Sequence, residues 1–239
     1  MGFIRECVRY TFMAYFNLFY KIDEMGKENI PKNGAYVLCS NHIHWMDPIL
    51  YVCENRRMIY AIGKDSLFNS PIKNFVMRRL GVMPVSRENA GANLSSVEEG
   101  INRLQEGNLL LIYPEGTRNP YMEDIKPKKG VALFALEAKV PIIPMAMVGS
   151  FKPWTKIRFK IGKPIDISEY YPNEDEKVNP RNLVKVTNNV MDEILKLRDE
   201  IITDEIKEQM KLAEDKRVIR RQKKIKAKEK VKEITDSKE

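Results

Sequence analysis

Residues 35–48 read Ala35, Tyr36, Val37, Leu38, Cys39, Ser40, Asn41, His42, Ile43, His44, Trp45, Met46, Asp47, Pro48. An apolar run of strand length breaks into a polar turn, and a proline then stands where a helix can begin. The same switch recurs outward from this stretch. Strand-like runs at 58–62, 81–85, 109–113, 142–148 and 156–161 alternate with helix-like stretches at 48–55, 72–80, 93–105 and 129–138. Strands separated by helices of this length need crossover connections, which predicts an α/β sheet. Polar residues at a strand's carboxyl end sit where such sheets build their sites.

The two ends of the chain differ from this middle. Between Tyr10 and Tyr20 lie six of the 21 aromatic residues and no charge. The run is bracketed by Arg5, Glu6, Arg9 and Lys21 and is shorter than the ~20 apolar residues a spanning helix needs. No small-residue cleavage site follows before Glu24, and Glu6 stands where a myristoylation signal wants Ser or Thr. Two readings remain for residues 1–24: a helix packed on the domain, or an interfacial amphipathic helix with its aromatics, Arg5, Arg9 and Lys21 at the lipid boundary. At the other end, no glycine follows Asn182 and no proline follows Pro180. A stripe of Leu183, Val186, Val190, Ile194, Leu197 and Ile201 predicts a docked helix over 181–212, continuing into a basic tail at 213–239.

The formal net charge of +8 belongs to that tail. Residues 216–232 carry ten Lys or Arg against one acid, leaving the rest of the chain at −1. Basic charge without interleaved aromatics gives no nucleic-acid footprint, so no nucleic-acid partner is expected. With 43% hydrophobic residues in 239 the chain has a core to bury and is not a disordered one. Cys7, Cys39 and Cys53 form no ligand or disulfide framework, which suits a reducing compartment.

Chemistry concentrates in a few turns. His42 and His44 are the only histidines, and Asp47 follows them by five and three residues. An imidazole beside a carboxylate is a general-base arrangement, because the carboxylate fixes the tautomer and leaves the other ring nitrogen free. Either spacing permits the pair, and Asp47 reads equally well as a cap for the next helix. A zinc site here would need further nitrogen or sulfur ligands that the chain lacks, so no metal is expected. A second cluster, Tyr113, Pro114, Glu115, Gly116, Thr117, Arg118, Asn119, runs from a buried strand into a tight turn. Gly116 permits close backbone approach, and Arg118 offers a planar fork for phosphate. Arg87 ends the 81–85 strand region and Lys64 follows the 58–62 strand, adding cations at corresponding places. Signatures of a serine hydrolase elbow, a Walker A loop and a dinucleotide fold are absent. Cys39 reads as a buried core residue.

Taken in order, these clusters resemble the glycerolipid acyltransferases, the lysophosphatidic acid acyltransferases in particular. The family's N-H-x4-D motif matches Asn41, His42 and Asp47. Its glycine-to-arginine strand motif matches Gly81 to Arg87, its F-P-E-G-T-R-S motif matches 113–119, and its V-P-I-x-P motif matches 140–144. The basic stretch at 126–130 also fits, and the likeness covers roughly residues 25–170. His44 and Asn119 depart from the pattern, standing where the family usually has a small residue and a serine.

The resemblance implies a single acyltransferase domain, residues 25–180, with a mixed central sheet flanked by helices. It implies that His42, oriented by Asp47, deprotonates an acceptor hydroxyl. Arg87, Arg118 and Lys64 would bind the acceptor phosphate, and Glu115, Gly116, Thr117 and Pro144 would shape the acceptor pocket. The reaction so implied makes phosphatidic acid from lysophosphatidic acid and an acyl thioester on coenzyme A or acyl-carrier protein, with no cofactor. Such an enzyme would sit on the cytoplasmic face of the cell membrane, peripherally or monotopically. Glycerol 3-phosphate or another lysolipid is the alternative acceptor. A non-enzymatic basic adaptor at a membrane surface or on nucleic acid is the alternative outside this chemistry.

Overall fold

The most apolar runs make the centre of one sheet. β2 (Tyr36–Ser40), β5 (Leu109–Ile112) and β6 (Ile142–Gly149) are buried at nearly every residue, as strands covered on both faces must be. The computed structural model describes residues 3–85, 94–120, 125–173, 176–208, 210–212 and 215. It joins these strands with β1 (Tyr20–Met25), β3 (Ile59–Lys64), β4 (Val82–Val85) and β7 (Thr155–Ile161) in the order β1-β7-β6-β2-β5-β3-β4. β6 and β7 pair antiparallel, and the other pairings are parallel. The sheet is therefore mixed. Each strand and helix expected between residues 35 and 161 lies within two residues of its reading.

Side-chain alternation splits the core in two. Leu38, Leu109, Leu111, Ile143 and Met145 face α1 (Phe3–Phe19) and α2 (Asp47–Glu54), meeting Phe16 and Leu50. Val37, Cys39, Leu110, Ala146 and Val148 face the other way. There they meet Leu104 of α4 (Leu94–Gln105), Phe134 of α5 (Gly130–Glu137) and Val190 and Ile194 of α6 (Pro180–Ile201). α3 (Pro71–Arg79) lies beside the edge strand β4. Because β6, β2, β5, β3 and β4 run parallel, their carboxyl ends share one rim.

Three expectations at the ends of the chain change. Residues 20–24 are not helical: α1 stops at Phe19, and Tyr20–Met25 pair in parallel with Thr155–Lys160. Pairing with a strand 135 residues later in register is a tertiary choice that local pattern does not carry. Arg5 and Arg9 are not at a lipid boundary. They are 3% and 8% exposed, and they donate to the Arg57 and Cys53 carbonyls at 2.9 and 3.0 Å. Cys53 offers one of the orphan carbonyls at the end of α2, which an arginine satisfies well. Much of the aromatic density is likewise internal, with Phe16 fully buried and Tyr20 nearly so.

The C-terminal helix also breaks. α6 ends at Ile201, Ile202 is extended, and Thr203 Oγ1 accepts from Ile206 N to start a new turn. Ile201 and Ile206 are both buried. In one continuous helix, residues five apart point about 140° apart, so the break lets both reach the core. The basic tail beyond residue 215 lies outside the described residues. No helix among the described residues is long and apolar enough to cross a membrane.

Candidate active site

The turn after β2 is held on every side. Asn41 extends the β2–β6 pairing with its own amide, donating to Met147 O at 2.8 Å and accepting from Met147 N at 2.7 Å. His42 N donates to Glu115 Oε2 at 2.7 Å, and its carbonyl accepts from Asn119 N at 2.5 Å. The imidazole stacks on Tyr113, with centroids 4.1 Å apart and planes 22° apart. Its Nδ1 lies 2.9 Å from Asp47 Oδ2. Backbone and ring face are thus fixed by the turn after β5, and the ring edge by α2.

Asp47 is fully buried at the start of α2. One oxygen, Oδ2, accepts from His42 Nδ1, from Ile43 N at 2.7 Å and from His44 N at 2.9 Å. The aspartate therefore closes the turn and orients the histidine at once, but it does not cap α2, whose N-cap position is Met46 with no side-chain cap bond. Burial pushes its carboxyl up, and the His42 ring and the two backbone donors oppose that shift. An ionised carboxylate only accepts, so Nδ1 carries the proton and Nε2 keeps a free lone pair.

His44 has a different setting. Its ring stacks on Phe151 at 4.5 Å and 15°, and its Nδ1 accepts from Met46 N at 3.4 Å. Burial, then Arg118, then His42, lowers its pKa to about 4. It stays neutral at pH 7, its ring meets no carboxylate among the described residues, and it makes a poor base beside His42. Cys39 is wholly buried, and that burial raises its thiol well above the ordinary range. It behaves as a core residue.

The turn after β5 supplies the brace and the open cation. Glu115 is 6% exposed, and besides holding His42 N it accepts from Asn119 Nδ2 at 3.0 Å. Its carboxylate thus faces the His42 backbone. Asn119, the departure from the family's serine, links that carboxylate and the His42 carbonyl. Gly116 sits at φ 63°, and a Cβ there would lie 2.6 Å from the Lys128 side chain. Lys128 N donates to Pro114 O at 2.7 Å, folding the basic stretch back onto this turn. Thr117 and Arg118 are exposed beside it.

The other expected residues are placed unequally. Lys64 ends β3 on the same rim, two strands from β2 and so roughly 10 Å across the sheet. Pro144 lies inside the sheet opposite Cys39, with its carbonyl taking Gly162 N at 2.8 Å. That is well below the His42 turn. Arg87 lies outside the described residues. Three residues given no role in the sequence reading join the site: Tyr113 beneath the imidazole, Phe151 beneath His44, and Lys128 against Gly116. Tyr113 and Lys128 left a signal, as the first residue of a matched motif and as part of a basic run, and Phe151 left none.

The acyltransferase family model matches residues 21–148, which takes in His42, Asp47 and the turn after β5. The chain belongs to the acyltransferase family. It is 29% identical over 177 residues to a 1-acyl-sn-glycerol-3-phosphate acyltransferase of Borreliella burgdorferi, covering 74% of this chain and 71% of that one. It is 32% identical over 151 residues to the Bacillus subtilis enzyme of the same name, covering 60% and 73%. The fold is similar to the crystal structure of the 1-acyl-sn-glycerophosphate acyltransferase from Thermotoga maritima. That likeness has a TM-score of 0.58 and 26% identity, over 82% of this chain and 80% of the other. As a member of this family, the protein is an acyltransferase with a mixed α/β fold, as the motif order implied.

Proposed function

We propose that the protein transfers an acyl group from a thioester to the free sn-2 hydroxyl of lysophosphatidic acid, giving phosphatidic acid. The observation that carries this is the buried Asp47 carboxylate 2.9 Å from His42 Nδ1 in a chain of this family. His42 Nε2 takes the hydroxyl proton as the oxygen attacks the thioester carbonyl. The imidazolium that forms is stabilised by Asp47, and it returns the proton to the departing thiolate. No acyl-enzyme is needed, because the thioester supplies the activation, and no metal or prosthetic group enters the scheme. Arg118 and Lys128 suit the acceptor phosphate, with Lys64 on the same rim, and Arg87 keeps the phosphate-binding role that its motif implies. Coenzyme A or acyl-carrier protein is the donor carrier. The acceptor reaches the site from the bilayer, so the enzyme works at the cytoplasmic membrane surface, with the basic tail drawn to anionic lipid.

The test is acyl transfer by purified protein, offered lysophosphatidic acid and glycerol 3-phosphate separately with an acyl thioester, beside His42→Ala. Phosphatidic acid formed from the lysolipid and lost in His42→Ala is the expected result. Transfer to glycerol 3-phosphate alone would overturn the acceptor, and full activity in His42→Ala would overturn the base.

A further inference from the structure

The chain has two tryptophans, and neither is in the core. Trp154 is 76% exposed and Trp45 is 54% exposed. They stand at opposite ends of an unbroken ribbon of ring contacts. Trp45 meets His44 at 5.7 Å, His44 meets Phe151 at 4.5 Å, and Phe151 meets Tyr20 at 6.0 Å. Tyr20 meets Tyr15 at 5.9 Å, Tyr15 meets Phe19 at 5.0 Å, and Phe19 meets Trp154 at 5.6 Å. One end of the ribbon touches the catalytic turn, and the other lies where α1 gives way to β1.

Trp154 is held outward against ordinary preferences. Its backbone is left-handed, at φ 68°, a region that bulky side chains seldom adopt. Its N–H donates to Phe19 O at 2.6 Å, which ties the β6–β7 loop to the end of α1. A large aromatic kept exposed at such a position points to a task outside the fold. Beside it Leu18 is 63% exposed. The outer face of α1 that leads to this point presents Cys7, Tyr10, Thr11, Ala14, Asn17 and Leu18, with no charge among them. A helix face turned to water normally carries charge. Just past the loop, Lys21 on β1 and Lys156 on β7 stand opposite one another. Exposed indole, apolar neighbours and paired lysines suit a bilayer surface, where aromatics take the interface and cations meet anionic headgroups.

We infer that the β6–β7 loop, with Trp154 at its tip beside Leu18, is a contact with the lipid bilayer. It places the catalytic rim at the membrane surface. The inference rests on the lipid acceptor proposed above. A second copy of the chain is the rival occupant of the same surface.

Native fluorescence tests it on the full chain. In Trp45→Phe, Trp154 is the sole tryptophan. Vesicles of equal parts phosphatidylcholine and phosphatidylglycerol are expected to blue-shift its emission, and chain-brominated lipid to quench it. Leu18→Asp with Trp154→Asp is expected to lower vesicle partitioning at least about tenfold, since burial of one large apolar side chain is worth more than that. Trp154→Phe is expected to retain most of the partitioning. Trp154 emission unmoved in protein that sediments with vesicles would overturn the inference. So would a blue shift that follows protein concentration without lipid, which would assign the surface to a second copy. Transfer to a short-chain acceptor dispersed below its micelle threshold separates the two readings. Trp154→Asp is expected to keep that activity. Its absence from the unsubstituted protein, with the fluorescence response intact, would defeat the acceptor and leave the contact standing.

Discussion

The turn after β2 and the turn after β5 share one rim of the sheet and are built in opposite ways. In the first, His42 is held by Glu115, Asn119, Asp47 and Tyr113 at once. In the second, the backbone at Gly116 is bent tightly while Thr117 and Arg118 extend into solvent. The difference suits the tasks proposed for the two turns. A base works from one atom in one direction, so its orientation must be fixed before substrate arrives. A phosphate is met by charge, which acts over several ångströms and tolerates a mobile arginine. Glu115 joins the two turns, since it belongs to the second and braces the first.

The comparison breaks most severely at the fixed turn. Asp47→Asn removes the charge that stabilises the imidazolium, and kcat is expected to fall about 10³–10⁴-fold with little change in KM for either substrate. Steady-state kinetics on folded protein checks this. At the open turn the signature reverses. Arg118→Ala should raise KM for the phosphate-bearing acceptor by roughly 10–100-fold while kcat changes little, which is the mark of lost ground-state binding. Equal losses in both parameters would show that Arg118 acts in the transition state instead.

Glu115→Gln tests the joint between them. One carboxylate oxygen becomes a donor that faces either the His42 N–H or the Asn119 amide. A fall in kcat of about tenfold is expected, since a strained or missing charge-assisted bond is worth ~1.5–3 kcal/mol. A change confined to acceptor KM would instead place Glu115 in the pocket wall. The smallest effect belongs to His44→Ser, with kcat expected within about threefold, because the proposed mechanism takes His42 as the base. Its consequence lies in stability. The folded state lowers the His44 pKa from 6.5 to about 4. Between those values the unfolded chain holds a proton that the folded chain does not. Stability from this residue is complete above pH 6.5 and is lost as pH falls towards 4. Denaturant midpoints at pH 7 and pH 5 should therefore differ less in His44→Ser than in the parent.

Much of the fold and of the site is legible in the residues themselves. Periodicity places the strands and helices between residues 35 and 161, because each is a local pattern of apolar residues that burial then rewards. The order of the motifs carries the family, and residue types alone single out His42, Asp47 and Arg118 as candidates, since few side chains perform the proposed tasks at neutral pH. Other features are settled only by tertiary contacts. Nothing in Tyr20–Met25 announces a strand until Thr155–Ile161 is there to pair with it. Arg5 and Arg9 look like lipid-facing charges until the end of α2 and the loop after it offer them carbonyls. The choice between His42 and His44 likewise waits on the fold. Both have Asp47 nearby in sequence, but the same oxygen takes the ring of one and only the backbone of the other. Sequence determines which groups are available, because chemistry belongs to the side chain. Direction, burial and partner belong to the folded chain, because they depend on residues far apart in sequence meeting in space.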